Sequence, residues 1–218
     1  GVFIPNDAYE SFDIQGLAAS GIPLVTVDYS FEGCGSVLSD NLRGMADLVR
    51  YIYGCGHRRI AFIYGDDTTV TRVRVHSFRQ ICQELGLELP AEYLVQGSYC
   101  RPAASEEATR RLLVLENRPT CILYPDDLAY IGGRNEIYRQ GLRIPEDISC
   151  AGYDGIEFSQ MLLPRLTTVQ QNAGLIGFSA ADELVRAVEQ GKDYVPRQII
   201  IPGRVLPGET VRRVGPPE

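Results

Sequence analysis

The sequence predicts an α/β protein built on doubly wound parallel sheet, and three observations carry that prediction. Apolar runs of strand length alternate with longer segments of helical periodicity. Glycines follow the expected helix ends, at Gly21, Gly54, Gly86, Gly141 and Gly191, where a residue without a β-carbon suits the last turn. Apolar runs also give way at once to a polar side chain: Val27 to Asp28, Tyr64-Gly65 to Asp66, Tyr124-Pro125 to Asp126, Tyr153 to Asp154. Strands whose carboxyl ends open onto a crevice read this way.

Taken in order, residues 2–4 read as a short strand with a loop at 5–7, and 9–20 as a helix carrying Phe12, Leu17 and Ala18. Residues 22–27 form a strand stopped by Asp28, and 29–36 a glycine-containing loop. Ser39 or Asp40 caps a helix that places Leu42, Met45, Val49 and Ile52 on one face and ends at Gly54. The run Ile60–Tyr64 reads as a buried parallel strand. A polar loop and a helix from about 70 to 85 follow, with Arg74 in its first turns. Residues 93–95 are a strand. Ser105, Glu106 and Glu107 start a helix that runs to about Asn117, its acids placed to suit the helix dipole. Residues 121–124 are a strand, and 127–140 a helix with Asp127 as its N-cap. Strands at 148–151 and 166–169 precede a helix at 173–190 that buries Leu175, Ile176, Leu184, Val185 and Val188. A strand at 197–201 ends the series, and the tail with Pro207, Pro216 and Pro217 reads as frayed.

The chain has 218 residues, 44% hydrophobic, enough for one or two cores. Its formal net charge of −7 argues against an extended nucleic-acid footprint on this segment. No run reaches membrane-span length and no signal peptide is visible, so a cytoplasmic protein is expected. The six cysteines, Cys34, Cys55, Cys82, Cys100, Cys121 and Cys150, form no C-x-x-C pair and read as buried thiols of a reducing compartment. With only two histidines, His57 and His76, no metal and no cofactor is expected.

Five ordered motifs between Leu38 and Gln171 carry a family resemblance. They are LSDNLRGMADLVRYI, GHRRIAFIYG with RVRVHSF, RPTCILYPDDLAYIG, GLRIPEDISCAGYDG and PRLTTVQQ. Together they resemble the effector-binding core of the lactose-repressor (LacI) family of bacterial transcription regulators. The resemblance implies two doubly wound lobes of the periplasmic-binding-protein type, joined by three crossings near 56–58, 168–172 and 194–197. The first lobe is then 1–56 plus 172–194, the second 57–171 plus 195–213, and 214–218 a tail. It implies too that the family's first lobe begins with two further strand–helix units before the strand at 2–4, which either are missing from this chain or precede residue 1. Ser77 stands where the family has glycine, and Ala173 where some relatives place an aromatic ring.

The strand-end residues collect at one crevice, and Asp28, Arg74, Tyr99, Asp126 and Asp154 are the candidate ligand-binding residues. Carboxylates accept from hydroxyls, a guanidinium donates from a rigid fork, and an aromatic ring covers an apolar ring face. That set suits a neutral polyhydroxylated ligand better than a phosphate, which would want more cations or a glycine-rich turn. In the resemblance, Asp28, Arg74 and Asp154 match effector-binding positions, and Tyr99 lies where relatives stack a ring on the effector.

The leading expectation is a homodimeric effector-binding domain sensing a sugar, polyol or nucleoside. Operator DNA would be read by a headpiece outside this segment. A periplasmic-type sugar-binding protein is the alternative. An enzyme is not expected: no G-x-S-x-G, P-loop or G-x-G-x-x-G occurs, and neither histidine has an evident nucleophile.

Overall fold

A computed structural model describes residues 1–5 and 11–215. The expected loop at residues 6 and 7, the start of the first helix, the packing of Phe12 and the prolines at 216 and 217 lie outside what it describes. In chain order the described elements are β1 (Val2–Ile4), α1 (Ser11–Ala19), β2 (Leu24–Val27), β3 (Gly35–Ser39), α2 (Asn41–Gly54), β4 (Ile60–Tyr64) and α3 (Thr69–Glu84). Then follow β5 (Leu94–Gln96), α4 (Pro102–Leu113), β6 (Cys121–Leu123), α5 (Asp127–Arg139), β7 (Ser149–Asp154) and α6 (Glu157–Met161). The last are β8 (Thr167–Gln170), α7 (Ala173–Gln190), β9 (Gln198–Ile201) and β10 (Arg204–Leu206).

The strands form two sheets. The first, in the order β1-β2-β3-β9, is parallel throughout. The second runs β10-β8-β7-β6-β4-β5 and is parallel except for β10, which lies antiparallel to β8.

Side chains alternate across a strand, and that period decides which helices cover which face. On one face of the second sheet, Ile60, Phe62, Leu123, Ala151, Tyr153 and Val169 meet Met45, Leu48, Val49 and Ile52 of α2 and Phe78, Ile81 and Cys82 of α3. On the other, Ala61, Ile63, Ile122, Cys150 and Leu166 meet Ala108 and Leu112 of α4 and Tyr130 and Ile137 of α5. Covered on both faces, the central strands read as continuous apolar runs. In the first sheet, Val25, Val37 and Ile201 pack under Ile176 and Ala180 of α7, while Ile4 and Leu24 pack with Ile14 and Cys34 on the opposite face.

Several expectations are corrected. Gly35 and Ser36, expected in the loop at 29–36, open the strand Gly35–Ser39, which lies between β2 and β9; these satisfy its backbone on both sides. Its short, small-residue sequence gives little apolar signal. α4 begins at Pro102, a residue that suits the first helical position, so Ser105 lies inside the helix and not at its start. The N-cap of α5 is Asp126, whose side chain accepts from the Ala129 N–H at 2.6 Å, and Asp127 is the first helical residue. α6 and β10 were not expected. Leu42, Leu175, Val185 and Val188, expected in the core, are 42–54% exposed.

The lobe boundaries also shift. The apolar stripe of α2 packs on the second sheet, so the chain first crosses between β3 and α2, not near 56–58. β9 pairs with β3, so 198–201 belongs with the first sheet, not with 195–213 in the second, and the third crossing falls between β9 and β10. The middle crossing runs from β8 into α7. The start of the expected tail is tied down, since the Val214 N–H bonds the Cys55 carbonyl at 2.8 Å.

Candidate functional site

The three crossings run side by side at the carboxyl ends of both sets of strands, and the candidate residues gather there. Asp28 ends β2 at φ +57° and Asp154 ends β7 at φ +101°. With Cys100 at φ +52°, these are the non-glycine residues with left-handed φ among those described. Such backbone costs about 1–3 kcal/mol and persists only where the surroundings hold it. Asp154 ties them together: it lies within electrostatic reach of Asp28 and Asp126, and Cys100 lies within reach of Asp126 and Asp154.

Arg74 is the centre of the arrangement. It rises from the early turns of α3 and is 3% exposed. Its Nε donates to Asn41 Oδ1 at 2.7 Å and Nη1 to the Pro125 carbonyl at 2.8 Å. Its guanidinium carbon lies 3.5 Å from the centre of the Tyr153 ring, and Nη2 is 3.8 Å from Asp154 Oδ1. The guanidinium is therefore buried by the protein itself. Two of its donors are spent within the protein, and the Nη2 end is the one turned toward Asp154.

Asp154 accepts from Gln171 Nε2 at 2.6 Å. Burial pushes its carboxyl above the usual range, and Arg74 opposes that shift. Asp28 accepts from the Ser39 N–H at 3.0 Å, at the first crossing. Tyr99 sits on the strand end: a β-carbon at Gly65 would come within 2.2 Å of its ring, so that approach requires glycine. Its hydroxyl pairs with Thr71 at 2.8 Å, and the Arg74 guanidinium carbon is 6.0 Å from the ring centre. The Tyr99 loop is held by Asp66, which accepts from the Ser98 hydroxyl at 2.8 Å and the Tyr99 N–H at 3.1 Å.

Asp126 plays a different part from the expected one. It is 2% exposed, and besides capping α5 it accepts from the Cys100 N–H at 2.7 Å. Both oxygens are committed to backbone, so it fixes the loop over the cleft. Asp127 turns inward, accepting from Thr168 Oγ1 at 2.6 Å and the Ile156 N–H at 2.9 Å, and burial raises its carboxyl to about 6.

The structure thus brings Asp28, Arg74, Tyr99, Asp126 and Asp154 to one cleft. The sequence reading missed Asn41, Tyr153 and Gln171, although all three stand inside the quoted motifs. Nothing in a motif says which way a side chain points. Ser77, in place of the family's glycine, donates to the Leu42 carbonyl at 2.6 Å and ties α3 to α2. A cavity of ≈ 190 Å³ opens beside the site, lined among others by Asp28, Ser39, Asn41 and Val70. Among the described residues no group of three histidine, cysteine or acidic side chains could hold a metal ion, and no helix is long and apolar enough to cross a membrane.

Two lobes joined by three crossings, with a polar cleft at the strand ends, define the periplasmic-binding-protein class of α/β domain. The chain belongs to the periplasmic binding protein-like domain family, which matches residues 49–211, and its relatives there are LacI-type repressors. It is similar to the probable HTH-type transcriptional repressor ExuR of Bacillus subtilis (strain 168), 31% identical over 188 residues, covering 85% of this chain and 56% of that protein. It is similar also to the ribose operon repressor of Escherichia coli (strain K12), 33% identical over 172 residues, covering 78% of this chain and 52% of the repressor. The crystal structure of a putative transcriptional regulator LacI from Bacillus cereus subsp. cytotoxis superposes with a TM-score of 0.89 at 27% identity, covering 98% of this chain and 76% of that one. The chain spans about half the length of the curated relatives it matches.

Proposed function

We propose that this chain is the effector-sensing part of a LacI-type transcriptional repressor, and that its ligand is a small neutral polyhydroxylated molecule: a sugar, polyol or nucleoside. The observation that carries the reading is the pairing of Arg74 Nη2 with Asp154 at a strand end, with Tyr99 and Tyr153 beside them. A hydroxyl placed there can donate to the carboxylate and accept from the guanidinium. The name of the Escherichia coli ribose operon repressor supports the sugar class. In the full regulator a separate element reads operator DNA in the cytoplasm, and the −7 charge of this segment fits a part that does not. We propose a homodimer as well, because two-fold operators are read by two-fold proteins. The exposed Leu128, Phe158, Met161 and Leu163 support self-association. Sedimentation at micromolar concentration showing only a 24.1 kDa species would count against it.

The test of the site is a thermal-shift screen of D-ribose, hexoses, polyols and nucleosides, followed by calorimetric titration of Arg74 variants. Charge-assisted hydrogen bonds contribute about 1.5–3 kcal/mol each. Arg74→Ala should therefore weaken binding by roughly one to two orders of magnitude. Arg74→Lys should recover part of that, because an ammonium lacks the planar fork. Arg74 also holds Asn41 and the Pro125 carbonyl, so circular dichroism must show that the fold survives. Unchanged affinity in a folded Arg74→Ala would move the site elsewhere.

A further inference from the structure

The polar side chains at the crossings close a ring. Ser39 Oγ donates to Gln171 Oε1, and Gln171 Nε2 donates to Asp154 Oδ1 at 2.6 Å. Asp154 faces Arg74 Nη2 at 3.8 Å, and Arg74 Nε donates to Asn41 Oδ1 at 2.7 Å. Asn41 Nδ2 then returns to the Ser39 carbonyl at 3.3 Å. The ring contains residues of the first crossing (Ser39, Asn41), the middle crossing (Gln171) and the second lobe (Arg74, Asp154). A further bond, from the Ser39 N–H to Asp28, hooks it to the first lobe.

Gln171 is the member whose chemistry the ring cannot replace. An amide offers one acceptor and one donor group at opposite corners. The Asp154 carboxylate only accepts, so it must face the Gln171 amide nitrogen, which leaves the amide oxygen for the Ser39 hydroxyl. The Gln171 backbone N–H also bonds the Asp154 carbonyl at 3.1 Å. Its neighbour Gln170 reaches the third crossing, where Arg204 Nε donates to Gln170 Oε1 at 3.1 Å. The first and third crossings touch directly through the Asp40 N–H and the Ile201 carbonyl, at 2.9 Å. One residue pair therefore joins all three crossings, and one of its side chains holds a candidate ligand-binding carboxylate.

We infer that Gln171 is the positioning residue that latches the crossings together and aims Asp154 into the cleft, so that occupancy of the cleft is passed to the hinge between the lobes. A hydroxyl that takes Asp154 Oδ1 competes with the Gln171 amide, and the Ser39–Gln171 contact responds. Only the nature of the occupant rests on the proposed effector function; the latch exists in the chain without ligand and can be measured there.

The experiment is hydrogen exchange on the ligand-free full chain, with small-angle scattering for the separation of the lobes. Gln171→Met keeps the length and removes both polar contacts. It should raise exchange at residues 39–41 and 170–172 by at least about tenfold, leave β4, β6 and β7 unchanged, and enlarge the scattering radius. Gln171→Glu keeps the acceptor but sets a second carboxylate against Asp154, with Arg74, Asp126 and Asp28 as the other charged neighbours. It should behave like Gln171→Met at pH 8 and return toward wild type near pH 5, where the two carboxyls share a proton. A merely structural glutamine would show no such reversal. Unchanged exchange at the crossings in Gln171→Met would overturn the inference, as would a uniform rise across both sheets. If Gln171→Met does not fold, the pH reversal in Gln171→Glu decides. Either failure leaves the sugar reading standing, and failure to find a sugar leaves the latch result intact.

Discussion

The two lobes use one architecture with unequal cover. In the second lobe each face of the sheet carries two long helices, where the first lobe has α7 on one face and the short α1 on the other. Phe62, Phe78, Leu123, Tyr124 and Tyr130 of the second lobe are at most 1% exposed. In the first lobe the described sheet has four strands, and Phe3, Phe178, Val185, Val188 and Ile200 remain 47–72% exposed. The first lobe compensates with a polar staple: Glu183 of α7, fully buried, accepts from the Tyr194 hydroxyl at 2.7 Å and from Arg197 Nε at 2.7 Å. The difference teaches that apolar content does not locate a core. The stability of the chain should rest on the second lobe, and substitutions can test that asymmetry.

The largest expected effect is in the second-lobe core. Phe78 is fully buried on α3, its ring centre 5.3 Å from that of Phe62. Phe78→Ala removes a ring from a site closed on all sides, where such truncations cost about 3–5 kcal/mol. Urea unfolding should show a loss of that size, and a loss below about 1 kcal/mol would mean that the second lobe is not the stable half.

The unequal cover also explains what the sequence made legible. Apart from α6 and β10, the elements of the second lobe could be read in order, because buried strands such as Ile60–Tyr64 are continuous apolar runs and a glycine closes or follows α2, α3 and α5. The first lobe was read less well. β3 has the sequence Gly-Ser-Val-Leu-Ser, and only its neighbours in the sheet make it a strand. α7 is apolar on more than one face, so its pattern revealed a helix but not which side is covered: Ile176, Ala180 and Ala187 are buried while Leu175, Val185 and Val188 are not. At the cleft, the polar positions at and just past the strand ends were enough to foresee that Asp28, Arg74 and Asp154 come together. It could not separate Asp126 from Asp127, because adjacent carboxylates at a helix start differ only in rotamer and backbone angle.

A second, smaller effect concerns pH and the far end of the second sheet. His57 is 1% exposed; Nε2 bonds the Arg212 carbonyl at 3.2 Å and Nδ1 pairs with the Thr120 hydroxyl at 2.9 Å. Burial lowers its pKa to about 4. The folded state therefore binds fewer protons than the unfolded state between about 6.5 and about 4, and stability falls as pH falls through that window. The full loss is about 3 kcal/mol at 1.36 kcal/mol per unit. Asp127 acts in the opposite sense: with its carboxyl raised to about 6, its unfavourable contribution is relieved as pH falls toward 3.8. Comparing His57→Gln with wild type isolates the histidine. The variant should lose less stability between pH 7 and pH 4.5, and equal losses in both would show that His57 is not held neutral.

The smallest expected effect lies on α7. Phe178 is 72% exposed and faces away from Val25, Val37 and Ile201, the residues that Ile176 and Ala180 cover. Phe178→Ser removes little contact area within the chain, and surface substitutions of this kind stay within about 0.5 kcal/mol. Serine has a slightly lower helix preference than the best helix formers, by a few tenths of a kcal/mol at most, and that also falls inside the limit. Association is a separate matter. An exposed ring flanked on the same helix by Val185 and Val188 attracts other apolar surface, so the variant should stay monodisperse to higher concentration in light scattering. Urea midpoints for wild type and Phe178→Ser should coincide within error. A drop comparable to that of Phe78→Ala would mean that α7 carries a covered face in solution, and the contrast between the two lobes would disappear.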